Sequence, residues 1–157
     1  MDEGRRTKLS KSLSYFLRHH LDQLRCPVSP DGFVPLSAVL AQSSFRGVTI
    51  AEIEEIVQRC AKQRFALKKE HTTSGDEEYF IRANQGHSIQ SATKAGISAD
   101  AIYDLITEPL PYCVHGTGAR VLPSIEAEGL KKMNRTHIHL VSRPDAKSGF
   151  KKHSNVL

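Results

Sequence analysis

The sequence has no long hydrophobic run: no stretch approaches the ~20 apolar residues of a membrane span, which excludes a transmembrane chain. Its first residues, Met1 to Lys11, are charged and lack the apolar stretch of a secretory signal, so the protein is expected in the cytoplasm or nucleus. Cysteine is scarce. Cys26, Cys60 and Cys113 form no Cys-x-x-Cys pair and are odd in number, which argues against a disulfide framework and reads them as reduced, small apolar side chains. Internal repeats and low-complexity stretches are lacking, so no solenoid or tail is indicated. Acid is nearly missing from the last stretch: between Lys131 and Leu157, seven bases (Lys131, Lys132, Arg135, Arg143, Lys147, Lys151, Lys152) face only Asp145.

What is present is ordinary for a folded domain. In 157 residues, 39% are apolar and 25% charged, enough to bury a core in one domain or two small ones. The formal charge of +5 points to a polyanionic partner, and the basic stretch after residue 131 suits either phosphate contacts or a solvated face.

Leu9, Leu13, Phe16, Leu17 and Leu21 recur at helical spacing and predict an amphipathic helix over about 7–22. At ~100° per residue His20 falls inside the apolar arc and reads as structural, while Arg18 and His19 fall outside it and are free to act. Asp31-Gly32 marks a turn, Phe33-Val34 an extended stretch, and Pro35 suits the first turn of a helix to about residue 42. Thr49 with Glu52 three residues on is a capping box, and the stripe Ile50, Ile53, Ile56, Val57, Cys60 predicts the helix that follows. Strand-like runs at 64–69 and 78–82, separated by the polar segment around Ser74-Gly75-Asp76, predict a hairpin. Helices closed by a hairpin suggest a winged-helix plan.

Beyond Gly86 the sequence turns mixed and polar, with one short helix near 99–106, and Pro109 and Pro111 punctuate it. The expected organisation is α+β: a first lobe over 1–87, a linker over 88–108 and a second lobe over 109–157. The second lobe opens with a strand at 112–115, a Gly116-Thr117-Gly118 loop, a helix at 123–128 stopped by Gly129, and a strand at 135–141. Period-two alternation along that last strand presents Arg135, His137 and His139 on one face and packs Ile138 and Leu140 on the other. His-x-His beside His115 is a zinc pattern, but Arg135 on the same face repels a cation and no carboxylate is near in sequence, so no metal is expected.

Arg18-His19, the segment Arg82-Ala83-Asn84-Gln85-Gly86-His87-Ser88, His115-Gly116-Thr117 and Arg135-Thr136-His137-Ile138-His139-Leu140, in this order over nearly the whole chain, resemble the NAD-dependent tRNA 2′-phosphotransferase family. The resemblance implies a winged-helix-like RNA-binding lobe followed by an ADP-ribosyltransferase-like lobe. It implies Arg18, His19, Arg82 and Arg135 as the catalytic set on the RNA 2′-phosphate. His115, Gly116 and Thr117 match the first NAD-binding motif, and His139, with His137, the second. The implied co-substrate is NAD⁺ and the implied partner is RNA carrying an internal 2′-phosphate, as in spliced tRNA. No membrane is involved, and the protein is expected to be a monomer. The family's second lobe continues for further strands that this chain lacks after Leu157, so the lobe is expected to be partial and the chain alone inactive.

The implied reaction has two steps: the 2′-phosphate attacks the anomeric carbon of the nicotinamide ribose and expels nicotinamide, then the adjacent ribose hydroxyl attacks phosphorus. The products are 2′-OH RNA and ADP-ribose 1″,2″-cyclic phosphate. Guanidinium groups suit this chemistry because they stay charged and fork onto phosphate oxygens, and a histidine beside them can move a proton near neutrality. Two other readings remain open from sequence: a non-catalytic winged-helix nucleic-acid-binding protein, and an ADP-ribosyltransferase acting on terminal phosphates of nucleic acid.

Overall fold

A computed structural model describes residues 1–71, 75–142 and 155–156. The expected tail residues Arg143, Lys147, Lys151 and Lys152, and Ser74 of the expected turn, lie outside them. The architecture is mixed α+β and divides into two compact units, 1–104 and 105–157.

In the first unit, helix α1 (Glu3–His19) begins where the Asp2 carboxylate accepts a hydrogen bond from the Arg5 N–H. It buries Leu9, Leu13, Phe16 and Leu17, the stripe anticipated from sequence, but starts four residues earlier than expected and gives way at His20 to a 3₁₀ turn, Leu21–Leu24. The short strand β1 (Val34–Pro35) precedes α2 (Leu36–Leu40). Pro35 therefore ends the strand and is at the same time the N-cap of α2, one position before the first turn where it was expected. As an edge-strand residue it forfeits only an N–H that the sheet does not need. Helix α3 (Ile50–Gln58) carries the full capping box, Thr49 and Glu52 each bonding the other's backbone N–H, and buries Ile53 and Ile56.

Strands β2 (Phe65–His71) and β3 (Glu77–Ala83) pair antiparallel from Phe65↔Ala83 to His71↔Glu77, and β1 adds to the other side of β3 through Val34↔Ile81. The sheet order is thus β1-β3-β2. Ile81 and Ala83 enter the core, and alternation sends Phe80 and Arg82 to the opposite face. One apolar cluster, with Leu13, Leu17, Val34, Val39, Ile53 and Ile81 fully buried, joins α1, α2, α3 and the sheet. Residues 88–104, expected as linker, instead belong to this unit and carry α4 (Ile89–Ala95) and α5 (Ala99–Ile102). The Ser98 N–H donates to the Pro30 carbonyl (2.9 Å), tying this segment to the turn before β1.

The second unit pairs β4 (Gly116–Thr117) antiparallel with β5 (Asn155–Val156) and holds α6 (Leu122–Glu128), which ends at Gly129 as expected. Three expectations fail here. Gly116 and Thr117 are paired strand residues, not loop, and 135–141 is not a continuous strand: its bridges are single residues, at Arg135 and at Val141, the latter facing Val114. With no ladder along 136–140, no pleat imposes the alternation, and Ile138 and Leu140 are exposed while His139 is half-buried. The expected strand at 112–115 likewise reduces to the Val114 bridge.

Candidate functional site

Arg18 and His19 close the last turn of α1, where the unpaired carbonyl ends of the helix favour cations. Arg18 is half-buried and His19 exposed. The Arg18 carbonyl accepts the Ser88 N–H at 2.9 Å, so the segment 82–88 docks onto the helix end. Gly86 explains why it docks so closely. Its φ is +83°, and a Cβ placed there would lie 3.4 Å from Arg18 Nη1 and 3.5 Å from Cζ: the guanidinium lies directly over its backbone. His20 is half-buried rather than a core residue. It stacks on Tyr15 with ring centroids 4.1 Å apart, and its Nδ1 lies 3.2 Å from Gln23 Nε2.

Arg82 leaves β3 on the face away from the core. Its Nη1 donates to the Asp31 backbone carbonyl at 3.0 Å, the Asp31 carboxylate lies 3.9 Å away, and the guanidinium sits 4.9 Å from the Phe33 ring centroid. Lys68 covers the same ring at 4.5 Å. Burial works to raise the Asp31 carboxyl, but a hydrogen bond from Ser29 and the charges of Lys68 and Arg82 outweigh it and hold the group below the usual carboxylate range.

Tyr103, just after α5, lies close enough to both arginines for their charges to act on its hydroxyl. Burial pushes its phenol up, and the two guanidiniums offset part of that rise. The Asp31-Gly32 turn completes this corner: Gly32, at φ +84°, faces Ile97, Ile102 and the buried His87, with room for a Cβ only at 3.6–3.9 Å. Sequence reading singled out Arg18, His19 and Arg82 but missed Asp31, Gly86 and Tyr103. Of these, only the Gly86 position inside the distinctive 82–88 segment offered a signal.

The remaining candidates lie in the second unit. His115 is half-buried with Nδ1 at 3.0 Å from the His139 carbonyl. A carbonyl can only accept, so Nδ1 carries the proton and Nε2 of the neutral ring is left as an acceptor. Gly116 and Thr117 follow it on β4. His137 is exposed, with Nδ1 at 2.8 Å from Thr136 Oγ1. Arg135 is exposed beside the turn at Met133 and Asn134, and its N–H donates to the Lys132 carbonyl. Lys131 is ion-paired with Glu128. Among the described residues, no three His, Cys, Asp or Glu side chains gather where a metal ion would sit, and no helix is long and apolar enough to cross a membrane.

The chain is thus α+β, with the charges of Arg18 and Arg82 both felt at Tyr103 and with His19 following Arg18 at the end of α1. The chain belongs to the RNA 2′-phosphotransferase, Tpt1 / KptA family, whose model matches residues 4–157. It is 39% identical over 142 residues to tRNA 2′-phosphotransferase 1 of Danio rerio, covering 88% of this chain and 59% of that protein. To tRNA 2′-phosphotransferase 1 of Homo sapiens it is 38% identical over 159 residues, covering 99% of this chain and 60% of the relative. A probable RNA 2′-phosphotransferase of Streptomyces coelicolor is 37% identical over 142 residues, 89% of this chain and 68% of its own length. The chain thus spans about three fifths of the two vertebrate relatives.

Proposed function

We propose that the protein is an RNA 2′-phosphotransferase that moves the internal 2′-phosphate of spliced tRNA to NAD⁺, leaving 2′-OH RNA, nicotinamide and ADP-ribose 1″,2″-cyclic phosphate. In this reading the first unit is a winged-helix-like RNA-binding lobe, and the second is the opening part of an ADP-ribosyltransferase-like lobe that takes NAD⁺. The observation that carries it is the placing of two arginines from distant stretches of sequence: the Arg18 guanidinium lies over the backbone of Gly86, four residues beyond Arg82, and Arg82 is held by the Asp31 carbonyl.

A 2′-phosphate monoester has its second pKa near ~6, so at neutral pH it is mostly the dianion, already nucleophilic and in need of no strong base. Arg18 and Arg82 hold that dianion and take up the charge that develops as phosphorus becomes five-coordinate. Arg135 is assigned as the third arginine of the catalytic set. His19, exposed at the helix end, donates to a phosphate oxygen or carries the proton of the attacking hydroxyl in the second step.

The second unit's polar groups suit a ribose. His115, its Nδ1–H held by the His139 carbonyl, offers Nε2 to a ribose hydroxyl, and Gly116 lets a ligand approach the backbone. His139 and His137 extend that surface. Bound NAD⁺ supplies the anomeric carbon that accepts the phosphate and the nicotinamide that leaves.

Incubating a form of the protein that carries the family's complete second lobe with a 2′-phosphorylated oligoribonucleotide and NAD⁺ tests the assignment: nicotinamide and 2′-OH RNA are expected, and His19→Ala should slow release of 2′-OH RNA more than release of nicotinamide. Absence of both products from the wild-type protein would sink the reading.

A further inference from the structure

We propose that the groove between α1 and the corner joining α3 to β2 is the track along which single-stranded RNA flanking the 2′-phosphorylated nucleotide is bound. This rests on the function proposed above and adds to it a path for the substrate.

The groove encloses about 680 Å³, with Lys11, Tyr15 and His19 on its helical wall and Arg59, Lys62 and Arg64 opposite. His19, which follows Arg18 at the end of α1, is part of its lining. Five cations, those four basic residues (Lys11, Arg59, Lys62, Arg64) and Arg6, line it against one carboxylate, Glu3. Arg6 and Arg59 share Glu55, at 3.8 and 3.4 Å, whereas Lys11, Lys62 and Arg64 make no ion pair among the described residues. Such a stripe meets successive backbone phosphates.

Tyr15 turns the argument from any polyanion to a single strand. Tyr15 is 47% exposed and lines the groove, its ring braced by stacking on His20 at 4.1 Å and by an edge-on contact with Phe16 at 5.2 Å. An exposed, braced aromatic beside a basic stripe is what stacks unpaired bases; a duplex keeps its bases out of reach. The far wall is also prearranged. Gln63, between Lys62 and Arg64, is held at φ +42°, with its carbonyl accepting Asn84 Nδ2 at 2.8 Å, and the Asn84 N–H bonds the Arg64 carbonyl at 2.9 Å. Asn84 belongs to the segment that carries Arg82, so the wall and the phosphate corner are fixed by one piece of chain.

The test compares binding of a single-stranded dinucleotide and an octanucleotide, each with an internal 2′-phosphate or a 2′-hydroxyl, by fluorescence anisotropy. The octamer is expected to bind at least tenfold (~10×) tighter than the dinucleotide. In Lys11→Glu/Lys62→Glu that advantage should shrink to within about twofold, and the salt dependence of octamer binding should lose roughly 1.4 from its log–log slope, two phosphates' worth. Tyr15→Ala should cost the octamer roughly tenfold. Because all three side chains are on the surface, circular dichroism melting is expected to match the wild type; the milder Lys11→Ala/Lys62→Ala pair gives the same comparison if it does not. Alkylation of Cys60, which lies in the groove, should slow with the octamer and not with the dinucleotide. No length advantage, an advantage that survives charge reversal, or a duplex bound as tightly as the single strand each overturns the proposal. Loss of 2′-phosphate dependence at both lengths counts instead against the assignment of Arg18 and Arg82.

Discussion

At the scale of single residues, the corner depends on backbone positions as much as on charged groups. Gly86 at φ +83° is the clearest case. Gly86→Ala puts a side chain in left-handed backbone and at contact distance from Arg18, so unfolding in denaturant should show a loss of about 1–2 kcal/mol, with weakened binding of 2′-phosphorylated RNA. Asp31 is held below its ordinary range, so its contribution to stability is fully present above the unfolded-state value of ~3.9 and is lost as pH falls through the lower folded value. The melting temperature of Asp31→Asn should therefore lie below that of wild type at neutral pH, with the gap closing below about pH 4; a gap that widens in acid would contradict the electrostatics described for Asp31. Of these positions only Gly86, inside the 82–88 segment, left a signal in the sequence. Arg18 and His19 stood out because helical periodicity separates polar from apolar faces, but the partners Gly86, Asp31 and Tyr103 are contacts across folded chain, and no local pattern records them.

At the scale of elements, legibility tracked how local the cause was. Helix α1, helix α3 and the β2-β3 hairpin follow from periodicity, caps and turn residues a few positions apart, and all three are present. The failures fall where pairing decides. Gly116–Thr117 is a strand only because Asn155–Val156 lies beside it, and 135–141, despite its alternation, lacks a continuous partner among the described residues. Pro35 was placed in a helix by its usual preference and is held in a strand by Phe80 across the ladder. The capping box of α3 is tied further into the fold by Arg5, whose Nε lies 2.8 Å from Glu52. Thr49→Ala removes the side-chain acceptor for the Glu52 N–H and is expected to lower stability by ~1 kcal/mol, measured by chemical denaturation.

At the scale of the molecule, the fully buried apolar residues all fall between Leu9 and Ala92, inside the first unit, and no described residue of the second unit is buried to that degree. Residues 1–104 expressed alone should then keep a cooperative melting transition within a few degrees of the whole chain's, and residues 105–157 alone should show none; a 1–104 chain that melts without cooperativity would show that the core is incomplete. The contact between Arg82 and the Asp31 carbonyl, which spans 51 positions of sequence, has a thermodynamic counterpart in that same unit. An unfolded chain scatters Arg18, Asp31 and Arg82, so the phosphate site proposed at this corner exists only in the native state, and an anion held there binds that state alone. Such a ligand is a folding ligand by mass action: at one hundred times its Kd it adds about 2.7 kcal/mol to the stability of the first unit. Thermal shift with short 2′-phosphorylated RNA thereby reads occupancy of the corner directly, without any turnover taking place.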